Sequence, residues 1–224
     1  MLRKPDMTKP PVLISEMGES ALLIQSEGPM SLDVQRLYWA LDRVCHDLPG
    51  VTETVLGVHS LLLRFDPQAE LADAAAHLQD LWQEIRPAEG RGRLVEVPVH
   101  YGGAGGEDLQ ELAASHGLSV GEVVELHSAP TYIVFALGSQ PGFPYLGGLD
   151  PRLVTARRAS PRQRVEEGSV VIGGEQAGVI ARTSPSGWHI IGATRVRLFD
   201  LDREEPALLQ PGDQLRFSVE KVSG

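Results

Sequence analysis

The segment of residues 138–150, with the sequence GSQPGFPYLGGLD, constrains the fold of this chain more than any other stretch. Its four glycines and two prolines exclude an ordinary helix, because proline lacks an amide donor and glycine loses much conformational entropy on ordering. The preceding residues 131–137 are rich in β-branched and aromatic side chains and predict a buried strand. This strand would present a shaped loop in which Phe143 and Tyr145 face a ligand. The alternative is a tight β-connection whose aromatic rings only fill the core.

The composition sets the broad class of the protein. With 224 residues and 42% hydrophobic side chains, the chain can build one large domain or two small ones. Acidic residues outnumber basic ones by 30 to 20, and the resulting net charge of −10 disfavours nucleic-acid binding. The single cysteine, Cys45, falls in an apolar helical pattern and is predicted to be a core residue. No apolar run suits a signal peptide or a membrane span, so we expect a soluble, cytoplasmic protein without a membrane partner.

Residues 1–100 show a pattern of short strands and two amphipathic helices. The proline-rich residues 1–11 are expected to form a flexible leader. The first helix starts at Ser31, a favourable N-cap, and the second starts near Ala69 and ends at Pro87. The predicted strands are residues 12–14, 21–24, 51–55, 61–65 and 94–99. This order predicts a ferredoxin-like α+β domain over residues 12–100, with two helices on one face of an antiparallel sheet.

The second half of the chain changes to short β-runs between turns. Two short helices come first, and the second one has capping-box spacing from Ser119 to Glu122. The predicted strands are residues 131–137, 169–172, 178–180, 188–191, 196–199 and 214–219. Many short strands indicate a barrel or a sandwich, so we expect a mainly β domain over residues 101–224. The domain boundary falls at the glycines near residue 91 or, as we predict, at the glycine-rich residues 101–106.

Several common local signatures of catalysis are absent. None of the three lysines follows a glycine, so the Gly-Lys-Ser/Thr core of a P-loop is missing. The glycines of residues 102–106 do not fit the Gly-x-Gly-x-x-Gly fingerprint of a dinucleotide site. The histidines lack the His-x-x-x-His spacing of a helical zinc site, and no metal is expected. Any ATP chemistry would need another architecture or another chain.

Arginines are concentrated between residues 157 and 164 of an otherwise acidic protein. These are Arg157, Arg158, Arg162 and Arg164. A guanidinium can bind a carboxylate through two parallel hydrogen bonds, so the cluster suits a small carboxylate ligand or an acidic partner surface. Solvated arginines that neutralise Glu166 and Glu167 are the alternative.

Three further side chains are candidates for a substrate site. Gln176 can hydrogen-bond an amide or a carboxylate, and Trp188 can line a pocket beside Phe143 and Tyr145. His127 can exchange a proton near neutral pH. For each of them a structural role, in a turn or in the core, stays open.

Seven segments of the chain carry a resemblance to a known family: residues 126–128, 138–150, 157–158, 161–162, 168–170, 176–178 and 184–188. Their order and spacing resemble those of the 5-oxoprolinase B subunits. This family also includes the Kip inhibitor of a sporulation histidine kinase and is often labelled allophanate hydrolase subunit 1. It implies a cyclophilin-like barrel for the C-terminal domain. It also implies a substrate site formed by Phe143, Tyr145, Arg158, Gln176, Trp188 and His127.

The resemblance implies a function as well. The chain would be the B-type subunit of an ATP-dependent 5-oxoprolinase, an amidohydrolase complex that opens the lactam of 5-oxoproline to give glutamate. It would be inactive alone and would share its site with a C-type (KipA-like) partner, together with a third component. ATP would be used by the complex and not necessarily bound by this chain. The alternatives are a regulatory module that inhibits a sensor histidine kinase and a subunit of an allophanate- or urea-degrading enzyme.

Overall fold

Residues 9–223 are described by the computed structural model, and they divide into two units between Gly90 and Arg91. Most of the expected leader, residues 1–11, therefore lies outside the described residues. The Lys9 ammonium donates hydrogen bonds to the carbonyls of Trp82 and Gln83, at 2.7 and 2.6 Å. The Trp82 indole N–H in turn donates to the Pro10 carbonyl at 3.1 Å. Lys9 and Pro10 are thus fastened to the second helix of the first unit.

Within residues 9–90, the first unit is a four-stranded antiparallel sheet packed against two helices. The sheet order is β1-β2-β4-β3. The elements are β1 (Leu13–Glu16), β2 (Ala21–Gln25), α1 (Leu32–His46), β3 (Val51–Gly57), β4 (Ser60–Phe65) and α2 (Leu71–Glu84). Ser31 caps α1 as predicted, because its side chain accepts a hydrogen bond from the Val34 amide. Cys45 is fully buried in this core, and burial raises the pKa of its thiol to about 12, which confirms its prediction as a core residue.

The strand expected to complete a ferredoxin-like sheet belongs to the second unit. β5 (Leu94–Gly102) runs parallel to β13 (Gln214–Ser223), with Leu94 opposite Gln214 and Gly102 opposite Ser223. The prediction was wrong for this strand, and the division between units falls before it, at the alternative position near residue 91. Alternating apolar residues show which faces of a strand are buried, but they do not show which sheet it joins.

Within residues 91–223, the second unit is a closed barrel of seven strands in the order β10-β7-β6-β13-β5-β12-β9. Two helices precede its second strand in the chain, and a separate two-stranded sheet pairs β8 with β11. The remaining elements are α3 (Leu109–Ser115), α4 (Val120–Ser128), β6 (Tyr132–Leu137), β7 (Pro144–Gly147), β8 (Arg162–Val165), β9 (Ser169–Gly173), β10 (Gln176–Val179), β11 (Ser184–Ser186) and β12 (His189–Ala193). The expected mainly β architecture is therefore confirmed as a barrel.

Local sequence patterns predicted some elements of this unit correctly and others incorrectly. The predicted capping box at Ser119 and Glu122 is present at the start of α4. Residues 196–199 do not form the predicted strand, since only an isolated bridge from Phe199 to Ala207 is found there. No helix within residues 9–223 combines the length and the apolar character that crossing a membrane requires.

Candidate functional site

The segment of residues 138–150 forms a hairpin connection rather than an open loop. Its residues 144–147 are strand β7, which pairs with β6. Gly142 has a φ of +78°, and a Cβ there would lie 2.8 Å from the Cβ of Phe199, so the turn requires glycine. The turn places Phe143 in the barrel core, where it is 4% exposed, and leaves Tyr145 half-buried. Phe143 therefore fills the core, as the alternative interpretation held, while Tyr145 keeps an accessible part.

Three predicted aromatic residues come together beside this turn, and we call them the aromatic wall: Phe143, Tyr145 and Trp188. The Phe143 ring centroid lies 5.2 Å from that of Tyr145 and 5.5 Å from that of Trp188, with edge-to-face geometry in both cases. Tyr145 and Trp188 are 6.4 Å apart. The rings contact one another at distances typical of stabilising aromatic pairs, so they form one continuous apolar cluster. Trp188 is 6% exposed and Phe143 4%, so Tyr145 provides the accessible part of this cluster.

Two glycines on neighbouring strands make room for the aromatic wall. A Cβ on Gly173 of β9 would lie 2.6 Å from the Trp188 indole, and a Cβ on Gly178 of β10 would lie 2.9 Å from the Phe143 ring. Gln176, the first residue of β10, pairs with Gly173 across the sheet and is half-buried. The predicted Gln176 is thus adjacent in the sheet to the glycine on which Trp188 packs.

A buried carboxylate organises two of the predicted arginines, and we call Asp108, Arg158 and Arg162 the Asp108 cluster. Arg162 donates two hydrogen bonds to Asp108, at 2.9 and 2.7 Å, and Arg158 donates one at 3.2 Å. The Ile190 amide donates a fourth at 2.7 Å. The Asp108 side chain is only 4% exposed, whereas those of Arg158 and Arg162 are 30% and 21% exposed. The cluster therefore buries a negative charge that its neighbours fully neutralise.

These neighbours determine the ionisation of Asp108. Burial by itself raises the pKa of the carboxyl, but the hydrogen bonds from Arg162 and the Ile190 amide and the charges of both arginines lower it further than burial raises it. The net pKa of Asp108 is below its ordinary value. Asp108 is therefore a permanent anion at neutral pH and serves as a counter-ion.

Backbone hydrogen bonds join the Asp108 cluster to the aromatic wall. The Arg158 amide donates to the Gly187 carbonyl at 2.7 Å, next to Trp188 in the chain. The guanidinium carbon of Arg157 lies 5.3 Å from the centroid of the Trp188 ring, which is a cation–π contact. The structure thus brings Phe143, Tyr145, Trp188, Arg158 and Gln176 into one neighbourhood of the barrel unit.

His127 lies apart from that group. Its ring is fully buried, stacks on Phe217 at 4.4 Å and shares a 2.7 Å hydrogen bond between Nδ1 and the Tyr101 hydroxyl. Burial lowers the pKa of His127 to about 3, so the ring is neutral at physiological pH. Enclosed in this way, His127 is a residue of the barrel core, which favours the structural alternative over the predicted substrate contact.

One residue of the site was not singled out by sequence reasoning: Asp108. Asp108 follows Glu107 in what reads as the first turn of a helix, where acidic side chains are common. The signal that could have found it is charge balance, because closely spaced arginines near a core require a carboxylate from elsewhere in the chain.

Residues 117–121 have the Gly-x-Ser-x-Gly pattern that surrounds the nucleophile of many serine hydrolases. Ser119 is the N-cap of α4, and its hydroxyl donates to the Glu122 carboxylate at 2.7 Å. It follows helix α3 rather than a strand, so the context of a nucleophile elbow is missing. Over residues 9–223, no group of three or more His, Cys, Asp or Glu side chains is placed to hold a metal ion.

Comparison with known proteins identifies the family. The model of the carboxyltransferase domain, subdomains C and D, matches residues 12–209. The 5-oxoprolinase B subunit of Escherichia coli O157:H7 is 47% identical over 207 residues, which cover 92% of this chain and 94% of that protein. The chain belongs to the family of 5-oxoprolinase B subunits. The resemblance inferred from the spacing of the motifs is thereby confirmed.

Solved structures extend the comparison. The crystal structure of TTHA0988 superposes with a TM-score of 0.77 at 34% identity and covers 90% of this chain. The match spans only 40% of the TTHA0988 chain. The urea amidolyase of K. lactis gives a TM-score of 0.81 over 97% of this chain, but the match is 15% of that protein at 21% identity and shows a shared fold alone.

Proposed function

We propose that this chain is the B-type subunit of a 5-oxoprolinase complex that couples ATP hydrolysis to opening of the lactam of 5-oxoproline, which yields glutamate. The observation that carries the proposal is the 47% identity to a 5-oxoprolinase B subunit over nearly the whole of both chains. Residues 12–209, which the family model matches, include the aromatic wall and the Asp108 cluster. The likeness to urea amidolyase supports a shared fold and does not favour urea or allophanate as the substrate.

The chemistry of the site suits this substrate class. 5-Oxoproline is a small ring that carries one amide and one carboxylate. The accessible part of Tyr145, packed on the other two rings of the aromatic wall, provides an apolar contact for such a ring, and Gln176 can pair with the lactam amide. A guanidinium from the neighbouring arginines binds the carboxylate, a role that the family resemblance gives to Arg158. We therefore place the substrate at the aromatic wall formed by Phe143, Tyr145 and Trp188, against the accessible part of Tyr145 and beside Gln176, Arg158 and its neighbour Arg157, and leave His127 out of the site.

The complex needs further chains. The sequence contains no Gly-Lys-Ser/Thr core, so we assign ATP binding to a partner or to a site shared with one. The Escherichia coli relative is named as a B subunit, which supports a complex with other components. We propose a C-type 5-oxoprolinase protein as that partner, with a third component. We also propose a cyclophilin-like classification for the seven-stranded barrel.

The test is to co-express this chain with the products of neighbouring genes, purify the assembly and measure ATP hydrolysis that depends on 5-oxoproline. Urea and allophanate are assayed in parallel. We expect turnover with 5-oxoproline only, by the full assembly and not by this chain alone. An assembly that turns over urea or allophanate instead, or that captures and inhibits a histidine kinase without any turnover, would replace the proposal.

A further inference from the structure

The arginines around the site are not equivalent. Within residues 152–164, four of the five are neutralised by a carboxylate. The pairs are Arg152 with Asp150 at 2.8 Å, Arg158 with Asp108 at 3.2 Å, Arg162 with Asp108 at 2.7 Å and Arg164 with Glu166 at 2.6 Å. The fifth, Arg157, has no carboxylate partner among residues 9–223, and its guanidinium lies over the Trp188 ring.

Arg157 is exposed, but its backbone is held on both sides. The ring nitrogen Nε2 of His189 contacts the Ala156 carbonyl at 2.9 Å, and the Arg158 amide donates to Gly187 at 2.7 Å. Two residues earlier, Thr155 exchanges backbone hydrogen bonds with Gly174 at 3.2 and 2.7 Å. A guanidinium that is fixed at its backbone and rests on an aromatic ring loses less entropy when it binds a ligand than a freely rotating surface arginine does.

Arg158 is less available to an incoming anion. A ligand carboxylate that approached it would come close to the Asp108 carboxylate, whose oxygen is 3.2 Å from the Arg158 guanidinium, and like charges repel. Withdrawing Arg158 would also remove one hydrogen bond from a carboxylate that is 4% exposed. Binding at Arg157 carries neither cost.

We propose that Arg157 is the specificity-determining residue that binds the ligand's carboxylate at the aromatic wall, and that Asp108 holds Arg158 in a positioning role. This inference rests on the proposed function and deepens it. The ring of the ligand lies against the accessible part of Tyr145, with its carboxylate on the edge of the Arg157 guanidinium, which rests on the Trp188 ring. A cyclic amide without a carboxylate uses the same wall but makes no contact with Arg157.

The experiment uses the assembled complex and steady-state ATP hydrolysis. Arg157→Gln is compared with Arg164→Gln, which removes the same charge from an exposed, ion-paired arginine, and with Arg158→Gln. The probes are 5-oxoproline as substrate and 2-pyrrolidone, the same lactam without the carboxylate, as competitive inhibitor. Thermal unfolding of each variant reports on the fold.

We expect Arg157→Gln to raise the KM for 5-oxoproline about 10- to 100-fold, with a smaller change in kcat, because one charge-assisted contact is lost. The inhibition constant of 2-pyrrolidone and the Tm should stay as in the wild type. Arg157→Lys should recover part of the affinity, since a point charge replaces a planar fork. Arg158→Gln should lower the Tm, because Asp108 loses a partner.

Three results would overturn the inference. One is an unchanged KM in Arg157→Gln, and another is an equal rise in Arg164→Gln, which would show a nonspecific effect of charge. The third is a rise in the KM for 5-oxoproline that is confined to Arg158→Gln at unchanged Tm, which would assign binding of the carboxylate to Arg158. If the assembled wild-type complex shows no 5-oxoproline-dependent turnover, the proposed function is wrong, and this inference is wrong with it.

Discussion

Asp108 and His127 are both buried titratable residues of the second unit, yet Asp108 is charged and His127 is neutral. Asp108 keeps its charge and receives four hydrogen bonds, three of them from arginines. His127 is neutral, with ring contacts to Tyr101, Tyr132 and Phe217, and within residues 9–223 its Nε2 atom has no hydrogen-bond partner. A buried charge is tolerated where opposite charges surround it, and a buried histidine without them gives up its proton.

The difference shows which of these buried groups can interact with a ligand. The Asp108 cluster reaches solvent through its arginines, so an anionic ligand can change its electrostatics. His127 is sealed by aromatic rings, so it contributes packing and acid sensitivity but no chemistry with a substrate. Burial combined with charge pairing marks the site here better than the presence of a histidine does.

The largest effect should come from removing the charge of Asp108. Asp108→Asn keeps the shape but leaves Arg158 and Arg162 without their shared counter-ion. We expect a loss of about 2–4 kcal/mol in the free energy of unfolding, toward the low end of broken buried ion pairs because the arginines reach solvent. Urea denaturation at pH 7 measures it. Asp150→Asn, whose partner Arg152 is 65% exposed, is the matched control and should change stability far less.

The second prediction concerns the loss of stability at acidic pH. The folded pKa of His127 is about 3 against 6.5 for an ordinary histidine, so the unfolded state binds the proton first as the pH falls. The stability contributed by the neutral ring is complete above pH 6.5 and declines between pH 6.5 and 3, at up to about 1.4 kcal/mol per pH unit. Between pH 7 and pH 5 the wild type should therefore lose about 2 kcal/mol through this residue.

His127→Phe should remove that part of the acid sensitivity, which urea titrations at pH 7 and pH 5 can measure. Asp108 does not interfere, because its folded pKa lies below 3.8 and its stabilisation is lost only at lower pH. His77→Gln, at an exposed position of α2, is the control and should leave the pH dependence as it is. An equally steep loss in His127→Phe would show that other groups cause it.

The smallest effect concerns the single hydrogen bond between His127 and Tyr101. Tyr101→Phe removes the hydroxyl and should cost about 1 kcal/mol, since the fully buried His127 ring then loses the partner of its Nδ1 atom. In combination with His127→Phe the two costs should not add, because each change alone leaves a buried polar group unsatisfied. Strictly additive costs in a double-mutant cycle would mean that the 2.7 Å contact does not couple the two residues.

Local signals in the sequence determined much of the fold. The N-cap Ser31, the capping box of Ser119 and Glu122, and the apolar pattern of β13 each predicted an element that is present. These signals work because capping and amphipathic periodicity depend on residues a few positions apart. The glycine- and aromatic-containing motifs also identified the family and the residues of the aromatic wall.

Only the tertiary structure decided which distant residues meet. Asp108 binds Arg158 and Arg162 from 50 and 54 residues away in the chain, and no local pattern links them. The same holds for β5, whose alternating residues suited either sheet until its pairing with β13 was seen. Arg157 and Arg158 are neighbours in sequence, yet one lies over Trp188 and the other against Asp108, because contacts through space and not composition determine which guanidinium is already neutralised.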